Sequence, residues 1–124
     1  MAKKILIIED EEILLDLLKK KLSSLGYEVY TAKDGEAGFK AIKEIVPDLI
    51  LLDIIMPKMG GFEVMEKLQE EESLKTIPII VISNSGQPVE LNKAKELGAK
   101  DWLIKTEFDP KEVIEKVVKQ IGQP

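Results

Sequence analysis

Two kinds of segment alternate five times along this chain of 124 residues. Each pair begins with a short apolar block and continues with apolar residues at the three- and four-residue spacing of a helix. The apolar blocks are residues 3–9, 27–32, 48–53, 77–83 and 100–104. Five such βα units predict an α/β fold, in which one parallel sheet is covered by helices on both faces.

The character of the individual blocks predicts the order of the strands. The first, third and fourth are continuously apolar, as strands covered on both faces must be, whereas residues 27–32 alternate like a strand at an edge. The right-handed crossover rule then favours a doubly wound five-stranded parallel sheet in the flavodoxin-like (βα)5 order 2-1-3-4-5. The chain reverses direction between strands one and three, so we expect ligands outside the carboxyl ends of those strands.

The composition excludes several classes of protein. Without cysteine or histidine the chain has no disulfide, no thiolate or imidazole metal ligand and no phosphohistidine of its own. All eighteen basic residues are lysines and the net charge is -5, so we expect no direct nucleic-acid binding. No apolar stretch approaches the roughly 20 residues of a membrane span, and the start of the chain is unlike a signal peptide. We therefore expect a single cytoplasmic domain over residues 1–124, without a membrane partner.

Polar side chains stand at the ends of the central strands. Strand one ends in Glu9 and Asp10, strand three ends in Asp53, strand four ends in Ser83 and Asn84, and strand five ends in Lys105. Each has an ordinary structural explanation taken alone, because acids are favoured at helix N-termini and Asp or Ser commonly forms turns and caps. The carboxyl ends of parallel strands share one edge, however, so three acids, a hydroxyl and an ammonium are expected to meet there.

Such a cluster predicts phosphoryl chemistry. Three neighbouring carboxylates repel one another, and a hard divalent cation with oxygen ligands removes that repulsion. Mg²⁺ suits the site because it binds through carboxylates, water and phosphate oxygens. Asp53 is then expected to act as a nucleophile on a phosphoryl group. Lys105 would neutralise one phosphoryl oxygen, and the Ser83 hydroxyl would hydrogen-bond another.

Four segments carry a resemblance to a known family. They are ILIIEDEE, PDLILLDIIMPKMGGFE, IPIIVIS and LGAKDWLIK. With these segments the sequence resembles a response-regulator receiver domain of two-component signalling, similar to CheY, over residues 3–121. The resemblance implies that Asp53 is the phosphoacceptor and that Asp10 binds Mg²⁺ directly. It also implies that Glu9 lies close to the metal through water and that the backbone carbonyl of Ile55 is a further ligand.

The resemblance also implies a switch. Ser83 and Lys105 would contact the phosphoryl group, and Trp102 would occupy the aromatic switch position on strand five. The sequence departs from the family after the lysine, where Thr106 replaces the usual proline. Since a non-proline cis bond is costly, we expect the bond between Lys105 and Thr106 to be trans.

We therefore expect a stand-alone response regulator without an output domain, since the last apolar helical residue is Ile121. It would take phosphate from a histidine kinase and either switch a protein-interaction surface or relay the phosphate to a phosphotransfer protein. It would catalyse only its own phosphorylation and dephosphorylation, and so is not expected to be an enzyme. Without the arginines that dimerising members use, we expect a monomer.

Other functions compete with this one. A pseudo-receiver, or a designed or reconstructed receiver-like scaffold, would have the same fold and bind a partner without phosphate. A phosphohydrolase of the haloacid dehalogenase type would place its nucleophile after strand one, where this chain has Asp10 and Glu12. A flavodoxin needs a Ser-, Thr- or Gly-rich phosphate loop there, and the acidic run 9–12 would repel a phosphate instead.

Overall fold

The computed structural model describes residues 2–84, 86–107 and 109–124. Its strands are β1 (Lys4–Ile8), β2 (Glu28–Ala32), β3 (Leu49–Asp53), β4 (Ile79–Ser83) and β5 (Ala99–Ile104). Its helices are α1 (Glu12–Ser24), α2 (Gly35–Ile45), α3 (Gly61–Gln69), α4 (Pro88–Glu96) and α5 (Pro110–Ile121). Strands and helices alternate as the sequence predicts. Each strand begins one or two residues away from its predicted start, and every strand except β1, which stops one residue early, ends at the predicted residue.

The five strands form one parallel sheet in the order β2-β1-β3-β4-β5. This confirms the predicted order and places β2 at an edge, where four of its five residues are exposed or half-buried. Strand β3 lies at the centre and is buried along its whole length, including its last residue, Asp53. The reversal of chain direction therefore falls between β1 and β3, and β1 is followed directly by Glu9.

Each face of the sheet has its own apolar core, because successive side chains of a strand point to opposite faces. Leu6, Ile50 and Val81 belong to the core that packs on α2, α3 and α4, whereas Ile7 and Leu51 belong to the core on α1 and α5. Fully burying one such side chain stabilises the fold by about 1.5 to 3 kcal/mol. A sheet held from both sides gives the residues at its carboxyl edge a rigid base.

At Trp102, the backbone of β5 makes hydrogen bonds with side chains of the same chain. The Trp102 N–H donates to Asp101 Oδ1 at 2.8 Å, and the Trp102 carbonyl accepts from Lys116 Nζ at 3.1 Å. Lys116, on α5, also forms an ion pair with Asp101 at 2.7 Å. The strand pairing is irregular nearby, since Ile79 pairs with Ala99 while the next residue of β4 pairs with Asp101. Within the described ranges, we find no helix whose length and apolar character would let it cross a membrane.

Candidate functional site

Three carboxylates converge at the carboxyl edge of the sheet. Glu9 follows β1, Asp10 is the next residue, and Asp53 ends β3. One ligand oxygen from each lies within 4.8 Å of the others. Glu9 is fully buried and Asp53 is 2% exposed, whereas Asp10 is open to solvent. Two buried acids with apolar surroundings are costly unless a cation or hydrogen-bond donors compensate them.

Lys105 provides a cation at this cluster. Its Nζ lies 3.0 Å from Glu9 Oε2 and 3.0 Å from Asp53 Oδ2, and its side chain is only 7% exposed. The Lys105 N–H donates to the Ser83 carbonyl at 2.7 Å, which ties the residue after β5 to the end of β4. The peptide bond between Lys105 and Thr106 is trans, which confirms the prediction. The lysine therefore reaches Asp53 without the proline that is usual at this position.

The charges at the site shift one another's proton equilibria. Burial, followed by the negative charge of Asp53, raises the pKa of Glu9 to about 7, against the lowering effects of the Glu11 N–H and Lys105. Burial also raises the pKa of Asp53, although the hydrogen bond from Lys105 opposes it. Burial acts against the positive charge of Lys105, but the hydrogen bonds to Asp53 and Glu9 together raise its pKa. The single ammonium of Lys105 thus offsets only part of the cost of burying the carboxylates of Glu9 and Asp53.

One carboxylate oxygen of Glu9 has no hydrogen-bond donor among the described residues. Its Oε2 accepts from Lys105 Nζ and from the Glu11 N–H at 2.9 Å. Its Oε1 is buried and has no hydrogen-bond partner in the described part of the chain. A buried carboxylate oxygen without a donor is destabilising, and a hard cation with oxygen ligands would satisfy it. With three carboxylates within reach, the residues present fit Mg²⁺.

Two glycines allow the turn after Asp53 to pack closely. A Cβ on Gly61 would lie 2.3 Å from the Asp53 carbonyl oxygen, and the Gly61 N–H donates to the Ile54 carbonyl at 2.7 Å. A Cβ on Gly35 would lie 1.8 Å from the carbonyl oxygen of Met59, which itself has a φ of 149°. The first turns of α2 and α3 therefore press on the loop that leaves Asp53 and fix its path.

The structure also places the remaining residues that the sequence singles out. Ser83 is buried at the end of β4. Ile55 is 72% exposed in the turn after Asp53, and its N–H donates weakly to Asp53 Oδ1 at 3.4 Å. Trp102 is half-buried and packs on the core of the face that carries α4. Ser83 and Lys105 thus stand on neighbouring strand ends, and Trp102 lies three residues before the lysine on β5.

Sequence reasoning missed Glu11. This residue gives its N–H to Glu9, and its carboxylate oxygen Oε1 lies 3.5 Å from Lys105 Nζ. Its side chain is largely exposed, so water weakens that attraction. The available signal was its place in the acidic run after β1. Sequence reasoning also missed Gly35 and Gly61, because the close approaches that require them come from segments distant in sequence.

The chain matches known proteins along most of its length. Residues 5–118 match the family model described as "Response regulator receiver domain". The alkaline phosphatase synthesis transcriptional regulatory protein PhoP of Bacillus subtilis (strain 168) is 38% identical over 117 residues, which are 94% of this chain and 48% of that protein. The probable transcriptional regulator ycf27 of Cyanophora paradoxa is 40% identical over 111 residues, covering 90% and 45%. The chain spans about half the length of the curated relatives it matches.

Solved structures agree in fold. Chemotaxis protein CheY4 of Vibrio cholerae superposes with a TM-score of 0.91 at 27% identity, covering 98% of this chain and 100% of that one. The receiver domain of sensor histidine kinase PA1611 from Pseudomonas aeruginosa PAO1 has a TM-score of 0.88 at 24% identity, covering 99% and 100%, a likeness of fold alone. Fold and site together define a CheY-like signalling domain.

The chain belongs to the response-regulator receiver domain family of two-component systems. Receiver domains bind Mg²⁺ at an acidic pocket and interact with histidine kinases or phosphotransfer proteins. The acidic cluster of this chain is formed by Glu9, Asp10 and Asp53. Family membership excludes the flavodoxin and the dehalogenase-type phosphohydrolase that the sequence alone left as competitors. A pseudo-receiver belongs to the same family, so family membership does not separate it from a phosphorylated receiver. The two differ in whether the domain accepts a phosphoryl group.

Proposed function

We propose that this chain is a response regulator whose Asp53 accepts a phosphoryl group from the phosphohistidine of a histidine kinase or a phosphotransfer protein. The observation that carries the proposal is the contact of Lys105 Nζ with Asp53 Oδ2 at 3.0 Å, at the place where two further carboxylates converge. An acid 2% exposed at the end of a central strand is poorly placed for a merely solvated role. Its fixed position suits a nucleophile that must meet phosphorus in line.

The chemical step forms one bond and breaks one. A carboxylate oxygen of Asp53 attacks phosphorus, and the bond between phosphorus and the imidazole nitrogen of the donor breaks. The electron pair of that bond stays on the imidazole nitrogen, which takes up a proton from solvent if it leaves unprotonated. Lys105 holds its ammonium where negative charge accumulates, and the Ser83 hydroxyl donates to a phosphoryl oxygen. The product is an acyl phosphate on Asp53.

Glu9, Asp10, Asp53 and the backbone carbonyl of Ile55 would hold Mg²⁺. When bound, the cation supplies positive charge that neutralises phosphoryl oxygens during transfer. The fit to this chain rests on the three converging carboxylates and on the buried Glu9 Oε1, which lacks a donor among the described residues. The PA1611 receiver domain, which shares the fold, carries a magnesium ion coordinated in its active-site cleft.

The output that we propose is a change of surface. Ser83 would move toward the phosphoryl group, and Trp102 would respond by shifting toward the core of the sheet. The domain over residues 1–124 would act as a monomer in the cytoplasm, without its own enzymatic activity and without binding nucleic acid, and would present this surface to a protein partner or relay the phosphate. The chain has a net charge of -5, and all of its basic residues are lysines. Both features argue against nucleic-acid binding.

Mass spectrometry tests the phosphoacceptor. After incubation with acetyl phosphate and Mg²⁺, the protein should gain the mass of one phosphoryl group, and hydroxylamine should remove it because an acyl phosphate is cleaved where a serine phosphate is stable. Asp53→Asn should abolish the gain, since an amide oxygen is a poor nucleophile. Asp16→Asn, which changes an exposed acid of α1, is the matched control and should be phosphorylated like the wild type.

The competing function is a pseudo-receiver that binds a partner without phosphate. Failure of the wild type to gain mass, with a known receiver domain labelled in the same reaction, would support that function. Labelling that persists in Asp53→Asn would instead show that another side chain is the acceptor. Both results contradict the proposal.

A further inference from the structure

Glu9 links the lysine of the site to its carboxylate cluster. Its Oε2 accepts hydrogen bonds from Lys105 Nζ at 3.0 Å and from the Glu11 N–H at 2.9 Å. Its Oε1 is equally buried but has no hydrogen-bond partner in residues 2–84, 86–107 and 109–124. The two oxygens of one buried carboxylate are therefore in different environments, one saturated by donors and one left open.

Lys105 sits between two acids that share its charge. Its Nζ is 3.0 Å from Glu9 Oε2 and 3.0 Å from Asp53 Oδ2. The exposed fraction of the side chain is 7% for Lys105, 0% for Glu9 and 3% for Asp53. Charges this well shielded from water interact strongly. A carboxylate that meets a divalent cation attracts an ammonium less, and the ammonium in turn repels the cation. Glu9 is placed to transmit both effects.

We propose that Glu9 is a positioning residue that couples Lys105 to the cation site. The inference rests on the proposed function, in which Mg²⁺ binds at Glu9, Asp10 and Asp53. In the metal-free protein Oε2 holds Lys105 beside Asp53, and Oε1 is left for the cation. Lys105 therefore weakens cation binding through Glu9, and by reciprocity cation binding loosens the hold on Lys105. The ammonium becomes available to a phosphoryl oxygen once the cation is in place.

A double-mutant cycle read by calorimetric titration with Mg²⁺ tests the coupling. The four proteins are the wild type, Lys105→Met, Glu9→Gln and the variant with both changes. Lys105→Met should tighten Mg²⁺ binding about three- to tenfold, because the carboxylate of Glu9 is then no longer neutralised by an ammonium and its charge is available to the cation. In the Glu9→Gln background the same change should tighten binding by less than about twofold, since the path through Glu9 is absent.

Lys116→Met is the matched control, because Lys116 pairs with Asp101 on β5 and makes no ion pair with Glu9, Asp10 or Asp53. It should leave the affinity for Mg²⁺ unchanged. An equal gain from Lys105→Met in both backgrounds would mean plain charge repulsion and would overturn the inference, and so would no gain at all. A wild type that does not bind Mg²⁺ overturns the cation site of the proposed function as well, whereas binding without coupling overturns this inference alone.

A second measurement needs no variant. Removing Lys105 leaves two buried carboxylates without their partner, which can prevent folding. In the wild type, the ¹H–¹⁵N signal of the Lys105 ammonium should be sharp in chelator, because hydrogen bonds hold it away from water. Mg²⁺ should broaden it, while the Lys116 ammonium serves as internal reference. A Lys105 signal that stays as sharp or sharpens when Mg²⁺ binds contradicts the coupling.

Discussion

Burial of Glu9 makes the stability of the metal-free protein depend on pH. Its pKa is raised from 4.5 to about 7, with burial as the main cause. Between these values the folded chain holds a proton that the unfolded chain has lost, so the free energy of unfolding falls as pH rises. The raised pKa of Asp53 acts in the same direction. The stabilisation from the raised pKa of Lys105 is fully present below 10.5 and does not change in this window.

We therefore predict that, in chelator, the free energy of unfolding decreases by on the order of 1 to 3 kcal/mol between about pH 4.5 and 7. Denaturant titrations at a series of pH values measure it. Glu9→Gln, which has no proton to lose, should flatten most of the slope. A stability that rises across the same interval in the wild type would show that burial of Glu9 does not govern it.

Trp102 is the only tryptophan, so its emission reports one position of β5. We predict that beryllofluoride with Mg²⁺, which stands in for the phosphoryl group on Asp53, changes the fluorescence of Trp102 and its access to quencher. Ser83→Ala should greatly reduce the change, because it removes the hydroxyl that we propose moves toward the phosphoryl group, while Asp53 should still react with acetyl phosphate. Ser23→Ala, on the exposed side of α1, is the control and should respond like the wild type.

An unchanged emission, in a sample whose Asp53 is shown to be occupied, would mean that Trp102 does not switch. The indole is large, and it already packs on the core of the α4 face. Its inward movement would then be opposed by packing, and the equilibrium between its positions would be set by side-chain fit as much as by phosphate.

The path of the loop that follows Asp53 depends on a close contact between this loop and α2. A Cβ on Gly35 would meet the Met59 carbonyl oxygen at 1.8 Å, a distance that only a backbone shift can relieve. We predict that Gly35→Ala lowers the free energy of unfolding by about 1 to 3 kcal/mol and weakens Mg²⁺ binding, because the loop of Met59 and Ile55 must move. Thermal melting and Mg²⁺ titration measure the two effects. Glu36→Ala, which changes the exposed neighbour of Gly35, should alter stability and Mg²⁺ affinity much less. Equal Mg²⁺ affinities in the two variants would contradict the idea that packing against Gly35 holds this loop in place.

Regular elements could be predicted from the sequence because their causes are local. The apolar run 48–53 became Leu49–Asp53, and the helix after the second apolar block is Gly35–Ile45, with the Asp34 side chain as its cap, accepting from the Ala37 N–H at 2.7 Å. The strand order followed from which runs are apolar throughout. The irregular pairing of β4 with β5 could not be predicted, because it depends on how two distant segments fit.

The site was predictable to the extent that strand order determines it. The order brings Glu9, Asp10 and Asp53 to one edge, whatever their rotamers. The contact between Lys105 and Glu9 joins residues 96 apart, and it depends on burial and side-chain geometry that no local pattern carries. The same holds for the packing of Gly35 on Met59. The residues of the site could therefore be predicted from the sequence, whereas the contacts between their side chains could not.

At the scale of the whole molecule, ligation and folding are linked. Mg²⁺ should raise the melting temperature, since it relieves repulsion among carboxylates that only the folded chain brings together. At ten times the dissociation constant the gain is about 1.4 kcal/mol, or roughly 5 °C for a domain of this size. Asp10→Asn should remove most of the response, whereas Asp16→Asn should retain it. A melting temperature that ignores saturating Mg²⁺, in protein first freed of metal, would contradict the linkage.

The contacts of Trp102 with Asp101 and Lys116 have a consequence for self-association. An edge strand with unpaired backbone groups is a template on which another chain can add a strand, and such addition leads to aggregation. At Trp102 of β5 the N–H and the carbonyl are both already engaged by side chains of the same molecule. An incoming strand would have to break the ion pair at 2.7 Å between Asp101 and Lys116 before it could register with this residue. At Trp102, strand addition to the β5 side of the sheet is therefore opposed by contacts within the same chain.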